Sequence, residues 1–598
     1  LDDFTSEKEQ ELKAVAYEQK YKERLKDIPE PKFTAVRLEA DLFPELLQLQ
    51  LRGTYHFKNK TQLPIDTFWI SLNDVFQKRT AKINLPGFWA IHDSVYEIQA
   101  YVFEKPLQPG DSGLLSVELE HRQTGFRHSG LVRGNGTFFN NGMILSTGYN
   151  DGYELSDADK RKKYKLPEKD RMPKTDDVDA IQNNFITSDA DYIQFEAVIS
   201  TSKDQIAVAP GYLQKQWEAN DRAYFHYKMD IAILNFVAIL SARYEVFTDQ
   251  WNDIPIQIYH HPSHTYNLKK MAESVKDALS YYSENFGPYQ HKQLRILEYH
   301  RYQSYAQSFD NTIPYSEGKG FIAKLTDPED VDYVYFVTAH EMAHQWYGHQ
   351  VVPASVRGAQ FLSESMSEYS ALKVMQKKYG NGLSGKFLRY ELNQYLRGRS
   401  NEKKFESTLM EVEQQNYVYY PKGSISVFAI QDYIGEEVFN GFLKKYIDSV
   451  RFAGPPYTIM PEFYHQLMQV TPLEYKDFVD DNLKRITIYR NKTLSAKGKK
   501  LSNGSYEVRM KIQLEKVYAD SLGKETPADI NIPIEVGLMA AKKPVKAEDL
   551  LMVEKRKVKS GDEVVLILPQ KALYAGIDPL HKLIDENLED NTIKIEWD

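Results

Sequence analysis

The chain has 598 residues, more than one hydrophobic core normally serves, so we expect about three domains. Its net charge of −9, from 75 basic and 84 acidic residues, argues against a nucleic-acid partner, because binding phosphates requires a basic face. The sequence has no cysteine, which excludes disulfides, cysteine-rich zinc sites and a thiol nucleophile. It has no signal-peptide pattern and no run of about 18 apolar residues, so we expect that this chain does not span a membrane.

The first segment, residues 1–32, is highly charged and predicts a helix that ends before Pro29 and Pro31. Its apolar stripe is thin, so the helix either lies on another domain or forms a stalk. From 33 to 250 apolar and polar residues alternate, as in the stretch that contains Leu47 and Leu49. This pattern, broken by short turn segments, predicts an antiparallel β-sandwich.

Helical signals dominate residues 251–485, and alternation returns over 486–598. The chain is therefore predicted to be a multidomain α+β protein with a small C-terminal β-sandwich and no large helical domain after it. Near the start of the helical region, "YHHPSH" contains His260 and His261, which could suggest a metal site. No downstream residue has ligand spacing to them, so we interpret them as structural residues where a strand meets a loop.

The middle of the helical region contains "HEMAHQWYGH", in which His340 and His344 are four residues apart. At that spacing both imidazoles project from one face of a helix and can bind one ion. Glu341 lies about 100° round the helix from the first histidine, where it can reach a water on that ion. Asp327 and Pro328 predict the start of this helix.

A catalytic zinc requires a third protein ligand and an open position for water. A second predicted helix, closed by Gly380, contains the best third ligand, Glu364. Glu368 lies one turn further along the same face and could accept a hydrogen bond from the outer ring nitrogen of a zinc histidine. A chance HExxH is expected at roughly the few-per-cent level in so long a chain. The sequence thus predicts one Zn²⁺ per chain, bound by His340, His344 and Glu364.

These motifs resemble the aminopeptidase N family of zinc gluzincins, which includes the leukotriene-hydrolase branch. In that family HExxH is followed, after eighteen residues, by a ligand glutamate within "NEGFA". Here "SESMSEY" supplies Glu364 after nineteen residues, which indicates a small insertion in the connecting loop. The family's "YEKG" tyrosine, which stabilises the oxyanion, corresponds to Tyr420 in "VYYPKGSISV". Glu341 is then the general base.

The resemblance implies a β saddle at 33–250, a thermolysin-like zinc catalytic domain at 251–485 and the β-sandwich at 486–598. It also implies a zinc metallopeptidase, an aminopeptidase that removes N-terminal residues from peptides.

Two family features that recognise a free amino terminus differ here. "YAQSFDNTIPYSEG" takes the place of the family's "GAMEN" strand, and "LSTGYNDGYEL", with Gly148, takes the place of a segment that contributes a glutamine. In the first stretch the candidates for binding substrate are Gln307, Asp310, Asn311 and Glu317. Three alternatives therefore stay open: an endopeptidase with the same zinc chemistry, a zinc-binding interaction module without activity, and a hydrolase of lipids or epoxides.

More narrowly, "HQWYGHQVVPASVRGAQFLSESMSEYSAL" is similar to the peptidase part of bacterial proteins that fuse an ABC transporter permease to an aminopeptidase-like domain. The chain also starts at Leu1 rather than Met. The resemblance implies a soluble bacterial domain cut from a longer membrane protein. It would be tethered to a permease segment absent from this chain and would face the extracytoplasmic side.

Overall fold

The computed structural model describes residues 6–123, 130–326, 330–544 and 546–598. The described residues have an α+β arrangement with N-terminal sheets, a helical middle and C-terminal sheets, as the sequence predicts. They divide into two compact units. The first unit takes its residues from 1–172, 183–268 and 291–323, and the second from 173–182, 269–290 and 324–598. The domain boundaries that the sequence predicts, at 32/33, 250/251 and 485/486, stay predictions.

The helices are α1 Glu7–Leu25, α2 Ala158–Lys163, α3 Leu268–Asn285, α4 Tyr333–His344, α5 Met366–Asn401, α6 Gly423–Ile434, α7 Glu436–Val450, α8 Met460–Val470 and α9 Lys476–Leu483. The strands up to the helical region are β1 Lys32–Phe43, β2 Gln48–Lys58, β3 Ile65–Leu72, β4 Lys78–Ile83, β5 Gly87–Asp93, β6 Ile98–Leu107, β7 Ser112–Arg122, β8 Thr137–Asn140, β9 Leu145–Thr147, β10 Ala190–Ser202, β11 Ile206–Val208, β12 Tyr212–Ala219, β13 Arg222–Lys228, β14 Ala238–Ala242, β15 Glu245–Trp251, β16 Ile254–His260, β17 Leu294–Tyr299 and β18 Thr312–Ser316. The later strands are β19 Ile486–Tyr489, β20 Lys492–Lys500, β21 Tyr506–Gln513, β22 Lys516–Ala519, β23 Glu525–Ala528, β24 Ile534–Met539, β25 Leu550–Arg556, β26 Glu563–Leu568, β27 Tyr574–Ile577, β28 Thr592–Lys594 and β29 Glu596–Trp597.

The first unit is built on a seven-stranded sheet with the order β12-β13-β10-β1-β2-β7-β4. Its neighbouring strands are antiparallel except for β1 and β10, which run parallel. Because side chains alternate between the faces of a strand, Leu49 and Leu51 of β2 point into the core and are fully buried. Smaller sheets with the orders β5-β6-β3-β9 and β11-β14-β8 complete the β-rich part of this unit.

Helix α1 lies on the first unit and is not a free stalk. A capping box between Ser6 and Glu9 begins the helix. Its apolar stripe, Tyr17, Tyr21 and Leu25, is buried in a cluster with Trp69 and Ala100 of the β5-β6-β3-β9 sheet. The thin stripe seen in the sequence is therefore wide enough for one packed face.

A fourth sheet of the first unit, β15-β16-β17-β18, combines two kinds of pairing. Strand β15 is antiparallel to β16, whereas β16, β17 and β18 run parallel to one another. The loops that leave the carboxyl ends of these three parallel strands therefore start at one edge of the sheet, where α/β proteins commonly bind ligands.

The second unit contains α4–α9 together with the C-terminal sheets, whose orders are β19-β22-β23, β26-β21-β20-β29 and β25-β24-β27-β28. Val508, Met510 and Ile512 alternate inward from β21 and share a buried cluster with Ala429 and Tyr433 of α6. The C-terminal sheets are thus packed directly on the helices. Within the described residues, no helix combines the length and apolar character needed to cross a lipid bilayer.

Candidate metal centre

Helix α4 supplies the first two candidate ligands. It begins at Tyr333, where the side chain of Asp332 caps it by accepting a hydrogen bond from the Tyr335 amide. The start predicted from Asp327 and Pro328 lies outside the described residues. The helix ends with His344, so both histidines fall in its last two turns.

The ligand atoms of His340, His344 and Glu364 converge on one point within the second unit. The two histidine Nε2 atoms are 3.0 Å apart, and Glu364 Oε2 lies 3.5 Å from that of His340 and 3.3 Å from that of His344. Ligand atoms held tetrahedrally at about 2.0–2.2 Å from zinc are separated by roughly 3.3–3.6 Å. The two distances to Glu364 fall in that range and the distance between the histidines is slightly shorter, so the three side chains come close to the spacing of a zinc ligand set before any ion is considered.

Glu364 lies in a π-helical turn, Phe361–Ser365, that leads directly into α5. A π-turn is wider than an α-turn and is frequent at functional sites. The small insertion predicted for the loop between His344 and Glu364 stays a prediction. Gly380, at φ +80°, interrupts α5, as the sequence predicts.

The outer nitrogens of both histidines face acceptor groups. His344 Nδ1 lies 2.9 Å from the Tyr347 carbonyl oxygen and 3.1 Å from the Ser367 hydroxyl. His340 Nδ1 lies 3.5 Å from Glu368 Oε1. With the Nδ1–H of His344 directed at the Tyr347 and Ser367 oxygens, its Nε2 lone pair faces the ion position, and such contacts fix a histidine's tautomer and ring orientation. His340 Nδ1 lies near the Glu368 carboxylate but makes no hydrogen bond among the described residues. The Tyr347 carbonyl is a backbone group that motif analysis missed, since no side-chain pattern signals it.

Glu341 is buried beside the ligands. Burial raises the pKa of its carboxyl to about 7; nearby Glu364 adds to the rise and His344 opposes it. A carboxylate whose pKa lies near neutral pH is suited to both accept and return a proton.

Tyr420 is held in a second π-helical turn, Val418–Lys422, that contains Pro421 and runs into α6. Proline has no backbone N–H, so regular α-helical bonding is not available there. The Tyr420 ring centroid lies 6.1 Å from that of His340. Burial, reinforced by the Glu364 carboxylate, raises the pKa of the Tyr420 hydroxyl well above its usual range. The hydroxyl is therefore a proton-bearing donor at neutral pH.

Two close contacts fix this turn. Lys422 is buried, and its Nζ donates to Glu406 Oε1 at 2.9 Å. Gly423 allows the start of α6 to pass close to the other π-turn, because a Cβ there would lie 2.2 Å from Ser365 Oγ. Ser365 Oγ in turn donates to the Tyr419 carbonyl at 2.5 Å. These contacts of Gly423 and Tyr419 with Ser365 pack the turn that contains Tyr420 against the turn that contains Glu364.

The donor set fits one zinc ion. Glu364 Oε2 is buried and makes no hydrogen bond among the described residues, although both histidine Nε2 atoms face it. A buried carboxylate oxygen without a hydrogen bond is costly unless a cation satisfies it. Two imidazoles and one carboxylate, with the remaining position open, are the ligands of catalytic zinc.

The predicted substrate-binding residues lie in the first unit. Asn311 is fully buried, and its side-chain oxygen accepts a hydrogen bond of 3.0 Å from Arg295. Gln307 is partly buried and donates its backbone N–H to the Pro314 carbonyl. Glu317 follows β18 directly. Contact of these residues with substrate stays a prediction.

Residues 270–480 match the family described as "Peptidase family M1 domain". This segment is thus similar to a peptidase family M1 domain. The matched segment includes the three candidate ligands, Glu341 and Tyr420, so the site derived from spacing lies within the match.

A curated relative, "Probable aminopeptidase 1" of Sulfurisphaera tokodaii, is 26% identical to this chain over 189 residues. The match covers 30% of this chain and 24% of the relative, so the chain spans about a quarter of the length of that relative.

The solved structure of an M1 zinc metallopeptidase from Deinococcus radiodurans has a TM-score of 0.52 at 14% identity and covers 76% of this chain and 94% of its own. A mutant of that protein, described as bound to a Tyr-Ser-Ala substrate, has a TM-score of 0.51 at 15% identity over the same shares. At these identities the likeness establishes the fold.

Proposed function

We propose that this chain is a zinc-dependent aminopeptidase that hydrolyses N-terminal residues from peptides. The observation that supports this most directly is the convergence of His340, His344 and Glu364 beside two side chains that are suited to proton transfer and oxyanion binding. When bound, zinc supplies a Lewis acid that polarises the scissile carbonyl and lowers the pKa of its water to about 7.

The chain's own residues carry the proton and charge movements. Glu341 accepts the proton of the attacking water and returns it to the leaving amine. The Tyr420 hydroxyl donates a hydrogen bond to the oxygen on which negative charge develops. Burial around both groups keeps bulk water away and strengthens these interactions.

Endopeptidase activity is the second candidate, because the family's residues for recognising a free amino terminus are replaced here. A zinc-binding interaction module without activity is less favoured, because inactive relatives usually lose a ligand or the general base and all of these residues are present here. Attachment to a membrane permease, with the domain on the extracytoplasmic side, belongs to this proposal and rests on the resemblance alone.

The test uses paired peptides, one with a free amino terminus and one acetylated, whose products are read by mass spectrometry with and without a chelator. Chelator-sensitive removal of single residues from the free peptide alone supports the aminopeptidase. Internal cuts in both peptides would replace it with the endopeptidase. No cleavage of either peptide by zinc-loaded protein would favour the interaction module.

Glu341→Gln is the decisive variant in this assay. We expect cleavage to fall by roughly 10²–10⁴-fold because the general base is lost, while the bound zinc is retained because Glu341 is not a ligand. Glu437→Gln, which changes an exposed glutamate in the first turn of α7, is the matched control and should cleave at the wild-type rate. Full activity in Glu341→Gln would show that the mechanism is wrong.

A further inference from the structure

A second group of ligand-bearing side chains lies in the first unit, at the edge where β16, β17 and β18 end. His264 is in the loop after β16, Glu298 is near the end of β17, and Glu317 follows β18. One nitrogen of His264 and one carboxylate oxygen of each glutamate lie within 4.8 Å of one another. The parallel register of the strands produces this convergence, because it brings three loops to the same edge.

We propose that His264, Glu298 and Glu317 form a second binding site for a divalent transition-metal ion such as Zn²⁺ or Mn²⁺. One imidazole and two carboxylates make a mixed donor set. Imidazole favours transition metals, whereas all-oxygen sets favour Mg²⁺ and Ca²⁺. The site shares no ligand with that of His340, His344 and Glu364, although Glu317 is also one of the candidates for binding substrate.

Hydrogen bonds from the backbone hold the two carboxylates in place. Glu298 is 5% exposed, and its Oε2 accepts the backbone N–H of His261 at 2.7 Å. Glu298 Oε1 lies 2.5 Å from His264 Nδ1. Glu317 Oε1 accepts the backbone N–H of Arg301 at 3.2 Å. The two carboxylates are anionic acceptors that a bound cation would satisfy, beside the Arg243 side chain that lines the adjoining cavity and an Arg133 charge that acts on His300.

A neighbouring histidine supports the proposal independently. His300, Glu298 and Glu317 line one cavity, and both ring nitrogens of His300 are buried without a hydrogen-bond partner among the described residues. Buried polar groups are nearly always hydrogen-bonded. Two buried ring nitrogens without a hydrogen-bond partner therefore indicate that a polar ligand binds beside His300. Arg243 also lines this cavity, but it already pairs with Asp204 at 2.5 Å.

A metal ion at this edge would join the loops that follow three strands into one cross-linked unit. Such an ion binds the folded chain and not the unfolded one, so it would raise the thermal unfolding temperature. We therefore assign the site a structural role.

The test counts metal ions in the full chain, prepared without a histidine tag. The protein is stripped with a chelator, loaded with Zn²⁺, dialysed into metal-free buffer and analysed by elemental mass spectrometry. We expect two equivalents in the wild type, one in His264→Gln, one in His344→Gln and none in the double variant. His92→Gln changes an exposed histidine of β5 that is neither in the triad nor in the lining of the cavity, so this control should keep two equivalents.

A second measurement isolates the new site and guards against misfolding. In the His344→Gln chain, Zn²⁺ should raise the unfolding temperature, and this rise should disappear when Glu317→Gln is added to a chain with an unchanged circular-dichroism spectrum. A single wild-type equivalent that His344→Gln removes would overturn the proposal. So would a second equivalent that persists in both His264→Gln and Glu317→Gln. Neither outcome would count against the peptidase, because the zinc lost in His344→Gln is the ion that the peptidase requires.

Discussion

The two metal-binding clusters differ in what positions their side chains. In the cluster of His340, His344 and Glu364, the ligands lie on adjoining helical turns and their ligand atoms are 3.0–3.5 Å apart. In the cluster of His264, Glu298 and Glu317, the ligands lie on or beside loops and are within 4.8 Å of one another. The helical cluster is therefore already close to the spacing a zinc ion requires, whereas the sheet-edge cluster must close by side-chain rotation.

This difference shows how preorganisation is built. A helix fixes two ligands through its own hydrogen bonds, and the packing behind α4 and α5 fixes the third. Strand ends bring ligands near one another, but the conformation of the loops sets the final separation of the ligand atoms. Catalysis requires groups held within a fraction of an ångström of the productive geometry, so the helical cluster is the one suited to chemistry.

Among the variants that would sharpen this contrast, Tyr420→Phe has the largest expected effect, a fall in kcat. The helical cluster has an oxyanion donor beside it, and removing one such donor lowers kcat by about 10²–10³-fold, or ~3 kcal/mol of barrier. Metal content at both clusters should stay unchanged. Steady-state kinetics on a cleaved peptide measures the effect. Tyr419→Phe is the matched control, because the Tyr419 hydroxyl donates to Asn416 at 2.7 Å. Equal rates in the two variants would remove Tyr420 from the mechanism.

A smaller effect is expected from Glu368→Gln, which weakens the carboxylate that faces His340 Nδ1. Loss of such an outer partner reduces metal affinity or activity by roughly 10–100-fold. A competition titration with a chromophoric chelator measures zinc affinity at the helical cluster. Zinc bound at the sheet-edge cluster should be unaffected, since Glu368 is not one of its ligands. An unchanged affinity at the helical cluster would show that Glu368 does not support the ligand.

The smallest effect concerns the packing that holds the helical cluster in place. Gly423→Ala would place a methyl group 2.2 Å from Ser365 Oγ, and overpacking of this kind costs about 1–3 kcal/mol of unfolding free energy. Urea unfolding measures the loss. Gly441→Ala in α7 is the control: a Cβ there meets nothing within 4 Å, so this change should stabilise the protein by about 0.4–1 kcal/mol. If the two alanine variants had the same unfolding free energy, the close approach at Gly423 would not contribute to stability.

Local patterns predicted much of the helical cluster. The spacing of His340 and His344 and the helical signals around Glu364 are properties of short segments, and a helix converts such spacing into a shared face. The β-rich ends and the helical middle followed from periodicity in the same way. The start of α4 was a weaker inference. The structure begins this helix at Tyr333 with Asp332 as its cap, after the segment where Asp327 and Pro328 lie.

Long-range packing accounts for what sequence patterns could not supply. Whether α1 is a stalk depended on an apolar surface formed by Trp69 and Ala100, far along the chain. Glu364 lies in a π-turn whose Ser365 packs closely against Gly423, a contact between segments far apart in the sequence. "YHHPSH" showed no ligand partner in sequence, yet His264 meets Glu298 and Glu317, whose sequence separations follow no local period.

The sequence by itself predicted the β-rich ends, the helical middle and the spacing of the candidate zinc ligands, because these depend on short motifs and on periods of two to four residues. Only the tertiary structure decided which side chain lies beside each ligand and that a second group of ligands meets at the edge of a sheet. The physical reason is that strand register and close packing join residues through space, and no repeat along the chain records those contacts.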